Sequence, residues 1–225
     1  MAKKNKQKWI VPDGIAPTEM DLKIMEFEAR GKMVPTRSLI KTKEQIEGIR
    51  KAGVLNTAVL DTVAEKIRAG MSTLDIDKIV YDYTTKHGGM PAPLNYEGFP
   101  NSCCTSINDV VCHGVPADWE ILEEGDIINV DCTTILNGYY ADASRMFIIG
   151  ETSPEKKKLV DVAKECLEIG MAAAKPFGFV GDIGNAIEKH AKKNGFSVVR
   201  DLCGHGVGVE FHEEPDVEHF GKKGT

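Results

Sequence analysis

The chain has 225 residues, 42% of them hydrophobic and 28% charged, which is enough for one large domain or two small ones with a sizeable core. Its formal net charge of −6 argues against a general phosphate-binding surface. No apolar run approaches the ~18 residues of a membrane span, and no secretory signal is expected. Six cysteines form no CxxC pair, which favours free thiols in a reducing cytoplasm.

Residues 1–41 are predicted to be an N-terminal extension and linker. A charged tail with Lys3, Lys4, Lys6 and Lys8 is expected to be solvated. A short helix around Glu19 to Arg30 and the linker "GKMVPTRSLIKT" follow. No motif in this segment assigns it a function.

Two helices and then several strands are predicted next. The first helix runs from Lys43 to about Arg68 and ends at Gly70. The second opens with a capping box from Ser72 to Asp75. The helix continues through apolar residues at helical spacing, which are Ile76, Ile79, Val80 and Tyr83. It is expected to end at two glycines, Gly88 and Gly89. Short β-like segments follow between residues 95 and 149.

The same order then begins again, which indicates an internal repeat. A helix starting at Ser153-Pro154 is predicted to reach Lys175, and "GDIGNAIEKHAKKNGF" predicts another. An offset of 107 residues places Asp75 on Asp182 and also superimposes two glycines, Gly88 and Gly195. The sequence therefore predicts two similar α+β halves that face each other, with any site between them.

A hairpin in residues 126–149 carries two aspartates without a basic residue between them. Asn137-Gly138 is a strong signal for a two-residue type I′ turn. This turn places Leu136 opposite Tyr139, and it puts Asp131 and Asp142 on one face as diagonal neighbours about 7 Å or less apart. A three-residue loop would instead separate them onto opposite faces.

Two close carboxylates repel unless solvent, a shared proton or a cation stabilises them. A solvated sheet face is one interpretation. A shared-proton pair is a second, but the Asp-Thr/Ser-Gly signatures of aspartic proteases are missing from the sequence. A divalent metal ion held by both aspartates is the interpretation that we favour.

Metal sites of this type usually add imidazole, and three histidines lie in contexts that suit a site. They are His113 in "NDVVCHGVP" after a short apolar strand, His205 in "CGHGVG" and His212 in "EFHEEP". The remaining histidines, at positions 87, 190 and 219, are expected at the surface. A cysteine nucleophile is disfavoured because Cys112 and His113 would point to opposite faces of a strand.

Together these motifs resemble type I methionine aminopeptidases of the pita-bread fold, over residues 42–225. The resemblance implies an α+β fold of two pseudo-symmetric halves, each with helices packed on an antiparallel sheet. It implies removal of N-terminal methionine, with two divalent ions (Co, Mn, Fe or Zn) held by Asp131, Asp142 and His205, of which Asp142 bridges both. His113 would contact the substrate, and His212 would support the scissile carbonyl.

The resemblance also implies a methionine pocket and a cellular setting. The pocket wall would comprise Tyr96, Phe99, Cys104 and Phe211, while Pro93 and Glu97 depart from the family pattern at its rim. The protein would be a cytoplasmic monomer that acts on peptides or nascent chains beginning with Met, with transient contact to the ribosome. Ordinary core packing is the alternative role for the four wall residues.

The family completes its site with two glutamates, and we expect these to lie beyond Thr225. Residues 1–225 would then be a fragment that binds metal weakly and turns over little or no substrate. The second half would then lack some of its strands. Two alternatives stay open: a peptide- or protein-binding module without catalysis (or an inactive fragment), and a related peptidase for X-Pro bonds.

Overall fold

The computed structural model describes residues 9–225, so the predicted lysine-rich tail lies outside the described residues. The helices are α1 (Glu19–Ala29), α2 (Lys43–Lys66), α3 (Thr73–Lys86), α4 (Pro154–Ala173) and α5 (Val180–Lys193). The strands are β1 (Met90–Pro91), β2 (Cys104–Ile107), β3 (Ile127–Leu136), β4 (Tyr139–Ile148), β5 (Gly204–Gly206) and β6 (Glu213–Val217). Within residues 9–225 no helix is both long enough and apolar enough to cross a membrane.

Side-chain caps set the starts of the helices in the first half. The predicted capping box of α3 is confirmed, because Asp75 N–H donates to Ser72 Oγ at 3.1 Å and Ser72 N–H donates to Asp75 Oδ2 at 2.9 Å. Thr42 and Gln45 cap α2 in the same reciprocal way. Helix α4 begins at Pro154 as predicted but ends at Ala173, two residues before the predicted end.

The core of the first half lies between the two helices α2 and α3 and one face of β3. That face carries alternating residues Ile128, Val130 and Cys132, all of them buried. They pack against apolar side chains of α2, α3 and the adjoining segments, including Val59, Val63, Ile76, Val80 and Leu122. This arrangement leaves the opposite face of β3, which carries Asp131, free for a site.

The hairpin β3–β4 has the predicted register. Leu136 pairs with Tyr139, Thr133 with Asp142 and Asp131 with Ser144. Asn137 and Gly138 both have positive φ angles, of 53° and 81°, as a type I′ turn requires. The prediction that Asp131 and Asp142 share a face is therefore confirmed.

The strand before His113 was placed wrongly by the sequence pattern. Strand β2 pairs with β3 and ends at Ile107, and no strand includes residues 108–113. Asn108 and His113 have positive φ angles of 51° and 56°. These left-handed residues turn the chain out of the sheet, so two consecutive valines that resemble a strand in the sequence lie instead in a turn.

The second half repeats the helix pair of the first. Helix α3 begins at residue 73 and α5 at residue 180, and they end at residues 86 and 193, so both bounds differ by 107. Gly88 and Gly195 follow them with positive φ angles of 77° and 87°. Helices α4 and α5 pack together, and β5 and β6 form a two-stranded sheet beside them. The predicted repeat is confirmed for the second helix of each half.

The segment before α2 is folded onto the rest of the molecule. Its helix α1 packs against the second half, where the Phe27 and Phe179 rings meet edge to face with centroids 5.7 Å apart. Lys32 Nζ donates to the carbonyl of Gly224 at 2.9 Å. The division into an extension of residues 1–41 and a domain of residues 42–225 stays a prediction.

Candidate metal centre

Asp131 and Asp142 are diagonal neighbours on one face of the β3–β4 hairpin, with little to balance their charge. Burial, and then the charge of Asp142, raise the pKa of Asp131 to about 6, although His113 and His205 act in the opposite direction. Thr133 Oγ1 donates to Asp142 Oδ1 at 2.8 Å. Among the described residues, neither carboxylate forms an ion pair with a lysine or an arginine. A bound cation would stabilise both carboxylates.

His205 enters this site from β5 with one ring nitrogen facing Asp142. Its Nδ1 lies 2.8 Å from the Gly206 carbonyl oxygen, which can only accept, so Nδ1 carries the proton. The lone pair of Nε2 then faces Asp142 Oδ2 at 3.6 Å. An imidazole that donates its other N–H to a backbone carbonyl is the usual arrangement of a metal ligand.

His212 lies beside His205, against the aromatic residues of the predicted pocket. The His205 and His212 rings have centroids 4.4 Å apart, and Tyr96 Oη lies 3.2 Å from His212 Nδ1. The Tyr96 and Phe211 rings meet with centroids 4.8 Å apart. Burial lowers the pKa of His212, and the nearby His205 lowers it further, so the neutral imidazole is favoured.

The other predicted site residues lie around the same centre. His113 is exposed in its turn and is close enough to Asp131 to lower the pKa of that carboxyl. Cys104 pairs with Asp131 across β2 and β3. Phe99 is half-buried, and its backbone N–H donates to the Tyr96 carbonyl at 2.9 Å, which closes the short 3₁₀ turn that carries Tyr96.

The thiols near the aspartates are not activated nucleophiles. Burial, and then the charge of Asp131, raise the pKa of Cys104 to about 12. Burial and Asp131 also raise the pKa of Cys112. Both thiols therefore stay protonated near neutral pH, which argues against a cysteine peptidase.

The residues present fit a divalent cation by their chemistry, although their spacing does not form a closed cage. In the part of the chain that the structure describes, no group of three or more His, Cys, Asp or Glu side chains is arranged to hold a metal ion. The two carboxylates and the His205 Nε2 lone pair, which faces Asp142, nevertheless supply oxygen and nitrogen donors. No lysine or arginine among the described residues pairs with them. Asp131, Asp142 and His205 stay the proposed ligands.

The structure adds residues that the sequence interpretation missed. Thr133 orients Asp142, and its position opposite Asp142 in the predicted register could have indicated this contact. Asp77 on α3 accepts the backbone N–H groups of Ser102 and Cys103 at 2.6 and 3.2 Å, just before Cys104. No local pattern distinguishes this buried aspartate from an ordinary helical one.

Two of the three histidines that were expected at the surface, His190 and His219, are half-buried. His190 is half-buried rather than exposed, and its Nε2 lies 2.6 Å from Glu165 Oε2. The contact joins α5 to α4, which the local sequence of α5 could not reveal. His219 is half-buried as well, whereas His87 is exposed as expected.

Comparison with known proteins identifies the family of the chain. The sequence model of metallopeptidase family M24 matches residues 47–225. Methionine aminopeptidase A of Synechocystis sp. is 49% identical over 183 residues, which cover 81% of this chain and 72% of that protein. Methionine aminopeptidase 1 of Dictyostelium discoideum is 44% identical over 185 residues, and there the match spans 82% of this chain but only 50% of the relative.

Solved structures show the same fold. The crystal structure of methionine aminopeptidase from Rickettsia prowazekii matches with a TM-score of 0.81 and 41% identity, covering 83% of this chain and 75% of that one. A prolidase from Pyrococcus furiosus matches with a TM-score of 0.70 at 24% identity, which shows the fold alone. The chain has the pita-bread fold and belongs to the methionine aminopeptidases of metallopeptidase family M24.

Proposed function

We propose that this protein removes the N-terminal methionine from peptides by metal-dependent hydrolysis of the first peptide bond. The observation that carries the proposal is the unbalanced pair Asp131 and Asp142, faced by the His205 lone pair beside an aromatic wall. The relatives named methionine aminopeptidases at 41–49% identity support the same activity.

The proposed metal ligands are Asp131, Asp142 and His205, which would hold two divalent ions (Co, Mn, Fe or Zn) with Asp142 between them. When bound, such ions supply Lewis-acid polarisation of the scissile carbonyl and activation of a water molecule. Thr133 keeps the Asp142 carboxylate in its orientation by the 2.8 Å hydrogen bond. The half-buried side chains of Asp142 and His205, 24% and 23% exposed, leave the site accessible to ions from solvent.

His212 is proposed to support the carbonyl oxygen as it gains charge. The Tyr96 hydroxyl lies 3.2 Å from Nδ1, and when it donates there the ring proton sits on Nε2. A neutral His212 can then donate that Nε2–H to the substrate oxygen. His113, exposed on its turn near Asp131, is proposed to contact the substrate close to the scissile amide.

The methionine side chain is proposed to lie against four residues, namely Tyr96, Phe99, Cys104 and Phe211. The Tyr96 and Phe211 rings contact each other and form one apolar wall. The protonated Cys104 thiol adds a soft, polarisable surface that suits a thioether. The proposed ligands Asp131, Asp142 and His205 are all present in the chain, so a module without catalysis is not favoured. The prolidase match adds no support for X-Pro cleavage.

The setting of the reaction is also proposed. We infer that the protein acts as a cytoplasmic monomer on peptides or nascent chains and contacts the ribosome transiently. All six cysteines are free thiols, which suits a reducing compartment. Sedimentation of cell extracts with and without ribosomes would test the contact.

Replacement of Asp142 by asparagine tests the proposed function. Asp142→Asn keeps the size of the side chain but removes the charge, so affinity for Mn²⁺ should fall by more than ~100-fold and any release of methionine from Met-Ala-Ser should stop. Calorimetry with Mn²⁺ and chromatography of the released amino acid measure the two effects. Asp161→Asn, an exposed carboxylate on α4, is the matched control. Unchanged Mn²⁺ affinity in Asp142→Asn would contradict the proposal.

A further inference from the structure

His212 and Phe211 are presented by a segment without regular secondary structure, residues 207–212, which we call the histidine loop. It connects β5 to β6. On one side the loop is tied to the first half, because Tyr140 N–H donates to the Gly208 carbonyl at 2.8 Å. Loops hold a catalytic side chain in place only when their backbone groups have fixed partners. The remainder of this loop therefore needs partners of its own.

Glu213, the residue after His212, holds the loop through its own carboxylate. Its Oε1 accepts the backbone N–H of Val209 at 2.6 Å and that of Glu210 at 2.9 Å. One oxygen atom therefore accepts hydrogen bonds from two consecutive amides, which closes the turn that ends at Phe211 and His212. A charged acceptor makes such hydrogen bonds stronger than a neutral one.

Lys41 supplies the counter-charge for this carboxylate. Its Nζ forms an ion pair and hydrogen bond with the other oxygen, Oε2, of Glu213. The side chains are only 17% and 8% exposed, so neither charge is well solvated. A buried carboxylate that lost this lysine would be left uncompensated, and it would no longer be held towards the loop.

The backbone of Lys41 is itself fixed by the first half. The next residue, Thr42, is the N-cap of α2 and forms the capping box with Gln45. Helix α2 packs on β3 and β4, the strands that carry both aspartates. The loop also lies directly on α2, since a Cβ added at Gly208 would come within 2.6 Å of Ile49 Cδ1. Lys41 thus links the histidine loop to the scaffold of the aspartate pair.

We propose that Lys41 and Glu213 are positioning residues, which hold the histidine loop so that His212 meets the substrate beside the metal site. The inference rests on the proposed function, and it gives the end of the N-terminal segment a role in the reaction. Lys41 and Glu213 would act through the Val209 and Glu210 amides and the loop that follows. A loop shifted by about an ångström would reduce turnover by up to ~100-fold.

Three variants separate positioning from simple stabilisation. Glu213→Ala removes both acceptor oxygens, Glu213→Gln keeps one neutral acceptor, and Lys41→Met removes the counter-charge. The charge exchange Lys41→Glu with Glu213→Lys restores an ion pair, but a lysine cannot accept the two backbone N–H groups. Asp61→Asn is the matched control, because Asp61 forms another ion pair from α2, with Arg145 at 2.9 Å, away from the loop.

Amide hydrogen exchange of Val209 and Glu210, measured by NMR, is the first readout. Exchange at both amides should rise roughly 10- to 100-fold in Glu213→Ala and in the charge exchange, and less in Glu213→Gln. Asp61→Asn should leave both amides unchanged. Wild-type exchange rates in Glu213→Gln and in the charge exchange together would overturn the proposal, even if Glu213→Ala failed to fold.

Kinetics with Met-Ala-Ser is the second readout. Because His212 acts on charge that develops during the reaction, kcat should fall in Lys41→Met while KM changes by less than about twofold. The charge exchange should not restore kcat, and recovery of both kcat and amide protection would overturn the positioning role. If the wild-type protein released no methionine, the proposed function would fail, while amide exchange would still decide the positioning role.

Discussion

At the scale of single residues, two adjacent threonines on β3 contact different environments. Thr133 points to the site and donates to Asp142, whereas Thr134 points to the core, where its hydroxyl donates to Asn56 Oδ1 at 2.8 Å. The alternation of a strand separates the two environments by one position. Metal binding and core stability can therefore be altered separately by adjacent substitutions of the same kind.

Replacing each threonine by valine tests this division. Thr133→Val removes a hydrogen bond that orients Asp142, a proposed ligand, so Mn²⁺ affinity should fall by roughly 10- to 100-fold. Thr134→Val leaves a buried amide oxygen unsatisfied, so the free energy of unfolding should fall by about 1–3 kcal/mol without a loss of metal affinity. Calorimetry and urea denaturation measure the two quantities. Equal effects of both variants on Mn²⁺ affinity would contradict the register.

At the scale of elements, the two-residue turn determines that the aspartates share a face. Gly138 adopts a φ of 81°, which a residue with a Cβ reaches only with strain. Gly53 lies inside α2, where an added Cβ would meet only Ala141 Cβ at 4.0 Å. The same substitution should therefore have opposite effects at the two glycines.

Alanine at each glycine measures how strongly the turn is selected. Gly138→Ala should lower the free energy of unfolding by about 1–2 kcal/mol because the left-handed conformation is penalised. Gly53→Ala should raise it by about 0.5–1 kcal/mol because alanine has the better helix propensity. Urea denaturation of the metal-free protein gives both values. A stable Gly138→Ala protein with unchanged unfolding would contradict the assigned turn.

At the scale of the whole molecule, the N-terminal segment forms a small cluster of its own before it reaches Lys41. Trp9 is buried, and its indole N–H donates to Asp21 Oδ1 at 3.0 Å. Arg37 pairs with the same oxygen at 2.6 Å and lies over the Trp9 ring. Hydrogen bonds from Thr18, and then from Arg37 and Trp9, hold the pKa of Asp21 well below its ordinary value of 3.8.

This lowered pKa makes the cluster sensitive to acid. A carboxyl whose pKa is lowered on folding contributes stability above its unfolded pKa of 3.8, and that stability is lost as the pH falls towards the folded value. In a Trp119→Phe background, which removes the exposed tryptophan, Trp9 emission should therefore shift to the red below pH 3.8. Asp21→Asn should remove this acid transition, and an unchanged transition would contradict the cluster.

Local signals explain which parts of the fold were predictable. The capping boxes of α2 and α3, the Asn137-Gly138 turn and the hairpin register each depend on residues a few positions apart, so the pattern and the structure agree. The apolar stretch before His113 was wrongly predicted as a strand. Its two left-handed residues are Asn108 and His113, and neither is a glycine, the residue that usually indicates such a conformation. The buried Asp77 was not predictable, since its partners lie 25 and 26 positions away.

The sequence by itself determined the helix pair of each half, the repeat of its second helix at 107 residues and the shared face of Asp131 and Asp142, because periodicity and turn chemistry act over short distances. Only the tertiary structure decided which groups meet across the halves. Tyr96 reaches His212 over 116 positions, and Lys41 reaches Glu213 over 172. Such contacts depend on how whole elements pack, which is the sum of many weak interactions that no local pattern contains.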